Sequence, residues 1–172
     1  MIPARRVLTI VACGAGPAAA IGTCVKLAQD RGWAVQVIAT PAALDFFDAA
    51  AIAGQTGSPV RSQYAKPGSP RSLIPDAILV APASYNTINK WAQGISDTYA
   101  LGVLAEATGL GVPIVVLPFV NTTRASRTPF RRSVESPRRR GDDPARPGAA
   151  SSRTAPHRRR PDRQPSLVPR SR

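Results

Sequence analysis

Four short apolar runs punctuate the first part of this chain, and stretches of a different rhythm separate them. Val7–Ala12 (VLTIVA), Trp33–Ala39 (WAVQVIA), Asp76–Ala81 (DAILVA) and Pro113–Leu117 (PIVVL) are near-continuous in aliphatic residues. That is the pattern of strands buried on both faces. After the first run, Gly14-Ala15-Gly16 turns the chain and Pro17 suits the opening position of a helix. The spacing predicts that helix to about Arg31, with Ala20, Cys24, Leu27 and Ala28 on its buried face and Gly32 as its stop. After the second run Thr40 can cap a helix with Pro41 in its first turn, continuing through Leu44, Phe46 and Phe47 toward Ala53.

Residues 55–75 break the rhythm with four prolines and two glycines, leaving room only for a short strand around Val60. Beyond the third run, Pro82-Ala83-Ser84 leads into a helix carrying Ile88, Trp91 and Ile95. A further helix is predicted over Thr98–Thr108, ended by Gly109, and Pro118 closes the fourth run. Strands alternating with helices imply an α/β fold, a doubly wound parallel sheet of Rossmann or flavodoxin-like type sandwiched by helices. Ligands of such folds sit at the carboxyl ends of the strands. Here that edge comprises Cys13–Pro17, Thr40–Ala42, Pro82–Thr87 and Pro118–Asn121.

Charge changes the picture of the remainder. The 172 residues carry a net charge of +13. Residues 1–121 hold 8 basic and 6 acidic residues, whereas residues 122–172 hold 15 arginines and 4 acids. The basic character therefore belongs to the second segment. Arg, Pro, Ser, Ala and Gly fill 37 of its 51 positions, too few large apolar groups to offset the entropy of ordering. The expected organisation is a domain over 1–121, with about 135 as an alternative end, followed by a disordered tail over 122–172.

Cys13 and Cys24 offer neither a metal cluster nor a disulfide framework, so no metal is expected and a reduced, cytoplasmic setting fits. Arg5-Arg6 before an uncharged run to Val25 resembles a secretory signal, but Gly14, Gly16 and Pro17 interrupt it and an amphipathic helix follows. No segment supplies the ~20 strongly apolar residues of a membrane span.

Two strand-end loops carry candidate chemistry. Gly14-Ala15-Gly16-Pro17-Ala18-Ala19 satisfies a relaxed G-x-G-x-x-[GA] pattern, in which glycines admit a phosphate to a helix amino terminus. A tight strand–helix turn is the plainer reading. A nicotinamide dinucleotide also wants an acid at the end of the second strand, where this chain has Ala39-Thr40-Pro41, so that cofactor is disfavoured. The third loop gathers Ser84, Asn86 and Thr87 at a strand-to-helix junction. Ser84 or Thr87 alone would serve as a helix cap; the three together exceed that need and suit a phosphate and the polar edge of a heterocycle.

The stretch Ala81-Pro82-Ala83-Ser84-Tyr85-Asn86-Thr87-Ile88 resembles the P-A-S-A-N-T signature of the homo-oligomeric flavin-containing cysteine decarboxylases. That family includes phosphopantothenoylcysteine decarboxylase and the peptidyl-cysteine decarboxylases of lantibiotic synthesis. Lys90-Trp91-Ala92-Gln93-Gly94-Ile95-Ser96-Asp97 is similar to its K-x-A-x-G-x-x-D continuation, and Val37–Ala43 to its V-x-x-T-x-x-A loop. The resemblance spans about Val7–Asn121. It implies FMN at the strand ends, usually between subunits of a trimer, with Gly14, Ala15, Gly16 and Thr40 toward the phosphate or ribityl chain. Ser84, Tyr85, Asn86 and Thr87 would line the flavin, and Asn121 would meet the substrate, a small-molecule or peptidyl-cysteine-like compound.

The departures are equally informative. Tyr85 replaces a small Ala, and Ala15 stands where the family often has Ser. The family's active-site His has no counterpart in Tyr64–Pro75, and the chain's one histidine, His157, lies in the tail. Of the P-x-M-N-x-x-M-W substrate motif, Pro118 and Asn121 remain, while Val120 and Arg124-Ala125 replace the Met and Met-Trp positions. The substrate-clamp Cys is absent. These changes carry over flavin binding and leave the catalytic residues and the reaction unassigned. A non-enzymatic module with an empty flavin site and a basic tail for acidic partners is one alternative. A decarboxylase using Tyr64 or Tyr85 as proton donor is another. The tail itself reads as a non-specific nucleic-acid arm or, preferably, as a shifted reading frame after Asn121, since G- and C-rich codons read out of register spell Arg, Pro, Ala, Gly and Ser.

Overall fold

The structure, a computed structural model, describes residues 6–64 and 72–141, the last six through their helical backbone alone. The central part of the irregular segment, residues 142–172 of the predicted tail and His157 lie outside the described residues.

Four parallel strands, β1 (Val7–Ala12), β2 (Ala34–Ala39), β3 (Ala77–Ala83) and β4 (Ile114–Pro118), form one sheet in the order β2-β1-β3-β4. β1 is central, pairing Val7 with Ala34 through Ala12 with Ala39 on one side and Leu8 with Ala77 through Val11 with Val80 on the other. Alternate residues of β1 feed two cores, because successive side chains of a strand point to opposite faces. Ile10 and Ala12 pack with Val25 and Ile52 beneath α1 (Ile21–Gln29) and α2 (Ala49–Thr56). Val11 and Cys13 pack with Ile78, Val80, Ile88, Leu104 and Phe130. That second core is roofed by α3 (Tyr85–Ala92), α4 (Tyr99–Leu110) and α6 (Thr128–Gly141), the last entered through the short α5 (Thr122–Ala125). The fold is the expected flavodoxin-like doubly wound α/β sandwich.

Several local expectations are revised. A 3₁₀ turn over Gly16–Ala20 precedes α1 and advances the chain at three residues per turn, which rotates the helix that follows. Ile21, Val25 and Ala28 are buried in consequence, whereas Leu27 is 50% exposed and Ala20 faces solvent. The single helix expected after Thr40 divides into a 3₁₀ segment, Pro41–Phe46, and α2. Asp48 causes the division: its carboxylate accepts from the N–H groups of Ala50 (2.8 Å) and Ala51 (3.2 Å), a cap that apolar spacing does not reveal. Gly111 rather than Gly109 ends α4, at φ 74°, with Val112 N–H returning to Ala107 C=O (3.0 Å). Ile95 falls beyond α3, and near Val60 only Arg61 bridges to Ile38.

Residues 122–141, assigned to the tail on composition, form α5 and α6. Phe130 and Ser133 of α6 are buried and Val134 packs beside them, so a few well-spaced residues secure an otherwise arginine-rich helix. The polar Gln36 inside an apolar strand also acquires a reason. Its amide donates to Thr9 Oγ1 (2.7 Å) and Leu73 C=O (2.7 Å) and accepts from Leu73 N–H (3.1 Å), tying the crossover to the sheet. No described helix is long and apolar enough to cross a membrane.

Candidate functional site at the carboxyl edge of the sheet

Parallel strands deliver all four carboxyl ends to one edge, and a small set of bonds draws their loops together. Cys13 N–H donates to Pro82 C=O (3.1 Å), Thr40 N–H to Ala12 C=O (2.9 Å) and Phe119 N–H to Ala83 C=O (2.9 Å). Gly14 N–H donates to Thr40 Oγ1 at 3.2 Å, which links the two loops proposed to face a phosphate. A Cβ on Gly14 would stand 2.8 Å from both the Cβ and the carbonyl oxygen of Ala42. Gly14 is therefore required by loop-against-loop packing, which neither the phosphate nor the tight-turn reading anticipates. A Cβ on Gly16 would meet nothing within 4 Å, so open space lies over that residue. Ala15 is half-buried and supplies no side-chain cap.

At the third loop Ser84 is the N-cap of α3. Its hydroxyl accepts from Thr87 N–H (3.3 Å) and shares a hydrogen bond with the Thr87 hydroxyl (3.0 Å). Thr87 is buried, so this pair secures the helix start first. Asn86 is exposed, and its amide makes no side-chain hydrogen bond among the described residues. The first turn of α3 also directs backbone N–H groups away from the helix. The Tyr85 ring stacks on Phe130, centroids 5.3 Å apart and planes 15° from parallel, so that face of the ring is committed to α6. Asn121 caps α5, its Oδ1 accepting from Arg124 N–H at 2.9 Å, which leaves its NH₂ free to donate. Tyr64 lies edge-on to Tyr99, centroids 5.1 Å apart, against the first turn of α4.

The structure adds Arg124, which the sequence reading treated only as a lost motif position. Its guanidinium carbon stands 5.9 Å from the Tyr85 ring centroid and brings a cation to the strand-end edge. Neither Asp nor Glu occurs in Cys13–Pro17, Thr40–Ala42, Pro82–Thr87 or Pro118–Asn121. Uncommitted N–H and amide donors, one arginine and no carboxylate form a donor set suited to an anionic, heterocyclic ligand.

Beneath this edge lies Cys13. Burial pushes its thiol above the ordinary cysteine value, opposed by hydrogen bonds from Thr87 and Ser84; burial also raises Cys24. Both are free thiols, Cys13 fully buried and Cys24 half-buried. Alkylation of the native protein near pH 8 is therefore expected at Cys24, slower than for an unfolded cysteine, with Cys13 unlabelled until denaturation. Peptide mapping after iodoacetamide checks this, and equal labelling of the two would contradict the burial of Cys13. Among the described residues no group of three or more His, Cys, Asp or Glu is placed to hold a metal.

Doubly wound α/β sandwiches bind their ligands at the carboxyl ends of the strands, the edge where this donor set lies. The family model described as Flavoprotein matches residues 1–135, and the chain belongs to that family. Among solved structures it is similar to the FMN-dependent cysteine decarboxylase SpaF, at 23% identity and a TM-score of 0.68 over 80% of this chain and 82% of that one. It is similar also to the FMN-dependent cysteine decarboxylase TvaF from thioviridamide biosynthesis, at 22% identity and a TM-score of 0.69 over 80% and 88%. The FMN binding protein AtHal3 gives 20% identity and a TM-score of 0.65 over 80% and 78%. No curated protein matches the sequence.

Proposed function

We propose that this flavoprotein binds FMN along the carboxyl edge of its sheet. The observation that carries the reading is the convergence there of free donors without any acid: the Asn86 amide, the start of α3 and the open ground over Gly16. The phosphate and ribityl chain fall to Gly14, Ala15, Gly16 and Thr40, and the flavin ring to Ser84, Asn86 and Thr87. Tyr85 supports this wall through Phe130. Asn121 and Arg124 stand on the substrate side, where a guanidinium favours a carboxylate- or phosphate-bearing molecule. When bound, FMN supplies redox chemistry, and this chain contributes position and electrostatics. The reaction is unassigned. Catalysis, a peptidyl-cysteine-like substrate and a trimer remain implications of the resemblance.

Purified protein, or protein given FMN, is expected to absorb near ~450 nm with the flavin. Asn86→Asp is the sharper test. A carboxylate in the first turn suits the helix dipole, so folding stability should hold or rise. The same charge should repel the cofactor and weaken FMN binding by roughly tenfold or more, about 1.4 kcal/mol. Fluorescence titration measures the affinity. Colourless protein that takes up no added FMN would instead favour the non-enzymatic module, and unchanged affinity in Asn86→Asp would move the site elsewhere.

A further inference from the structure

Positive charge in the described residues is gathered on one element. Residues 6–64 and 72–118 hold five basic and six acidic residues, whereas residues 119–135 hold four arginines and one acid, Glu135. Arg124, Arg127, Arg131 and Arg132 are all exposed, and none forms an ion pair among the described residues. Four of the acids are engaged elsewhere. Asp30 pairs with Lys26 and Asp97 with Lys90, Asp48 caps α2, and Asp76 accepts from Val7 N–H at 2.7 Å.

Backbone bonds set three of the arginines in a row. Arg127 N–H donates to Arg124 C=O (3.3 Å) and Arg131 N–H to Arg127 C=O (3.2 Å), so each stands one turn from the last. The row starts at the strand-end site, where Asn121 caps the turn holding Arg124 and the Arg124 guanidinium lies over the Tyr85 ring. Phe130, Ser133 and Val134 take the core side of α6, which leaves the arginines to solvent. Glu135, four residues beyond Arg131, reverses the sign and bounds the row.

From Arg124 to Arg131 the chain rises about 10 Å at 1.5 Å per helical residue. A small acid cannot meet three guanidinium groups over that length, whereas about three extended peptide residues at roughly 3.3 Å each span it. Single-stranded nucleic acid would call for exposed rings on which bases stack. Between Arg124 and Glu135 the one ring is Phe130, and it is buried. We propose that Arg124, Arg127 and Arg131 form a docking surface for an extended acidic peptide segment, whose end they direct to Asn121 and Tyr85. Guanidinium forks match carboxylates at two points, and arginine clusters are a recurrent means of reading acidic motifs. That the docked segment reaches a flavin rests on the function proposed above; the surface itself does not.

The test uses the full chain, with and without FMN, and a short fluorescein-labelled peptide rich in glutamate, read by anisotropy at low salt. The same peptide with lysine for glutamate, and an oligothymidylate of equal charge, are the comparison probes. Arg127→Glu with Arg131→Glu should weaken the glutamate peptide by roughly tenfold or more, as exposed pairs turn from attraction to repulsion, and should strengthen the lysine peptide. The arginines of residues 142–172 are common to both proteins and cancel in the comparison. The difference should vanish near ~1 M salt, where screening acts within about 3 Å. FMN affinity and far-UV circular dichroism should be unchanged. Should the charge reversal unfold the protein, Arg127→Gln with Arg131→Gln decides in its place, with a several-fold loss expected. An unchanged affinity for the glutamate peptide would overturn the surface. Oligothymidylate bound more tightly than that peptide, and lost in the same variant, would make it a nucleic-acid surface and overturn the peptide. Protein that takes up no FMN yet discriminates the two peptides would support the surface and count against the flavin alone.

Discussion

Phe130→Ala is expected to lower the free energy of unfolding by about 3–5 kcal/mol, the usual range for removing a buried phenylalanine. Phe130 is only 6% exposed, lies in the core with Ile88 and Leu104, and backs the Tyr85 ring at the start of α3. Small domains have about 5–15 kcal/mol in all, so the variant should stand close to unfolding at room temperature. Denaturant titration measures the loss, with Phe119→Ala as control: Phe119 is largely exposed, and its removal should change stability by about 0.5 kcal/mol or less. Equal effects of the two substitutions would mean that α6 is not part of the core. A chain shortened after Asn121 loses Phe130 with α5 and α6 and should behave like the variant or worse.

Gly14→Ala is the second large effect, expected at about 1–3 kcal/mol by overpacking. The added methyl meets the Ala42 carbonyl and Cβ at 2.8 Å. A backbone neighbour cannot swing aside, so the first and second strand-end loops must separate. That movement also stretches the Gly14–Thr40 bond, and FMN affinity should fall by roughly tenfold or more. Thermal melting and flavin titration read the two consequences separately. Gly102→Ala makes an instructive contrast. Its methyl meets the Tyr64 hydroxyl, the end of an exposed ring that can rotate away, so the cost should be small. A Gly14→Ala protein with wild-type melting and affinity would show that the loops are not held by this contact.

Legibility divided along physical lines. Buried parallel strands announce themselves because both faces need apolar side chains, and VLTIVA, DAILVA and PIVVL needed no context. The strand-end loops followed from the strand positions and the parallel α/β class. The burial of α1 was misplaced because a 3₁₀ turn changed its phase, and the break at Phe47 depended on a carboxylate cap outside the apolar pattern. Arg124 escaped notice as a site residue because nothing local distinguishes an arginine that reaches an aromatic ring from one in solvent.

The α/β class, the ligand-bearing edge and the flavoprotein resemblance are legible along the chain, since each rests on short-range periodicity or on a contiguous motif. What those residues bond to depends on contacts between segments far apart in the chain. Gly14 is needed for loop packing, Ser84 and Thr87 hold one another, and Tyr85 leans on Phe130, while the Asn86 amide is left over. Such contacts also carry helix past Asn121, because a few residues at the right spacing bury against α3 whatever the charge of the rest. Composition averages over a segment, whereas burial is settled residue by residue by what lies opposite.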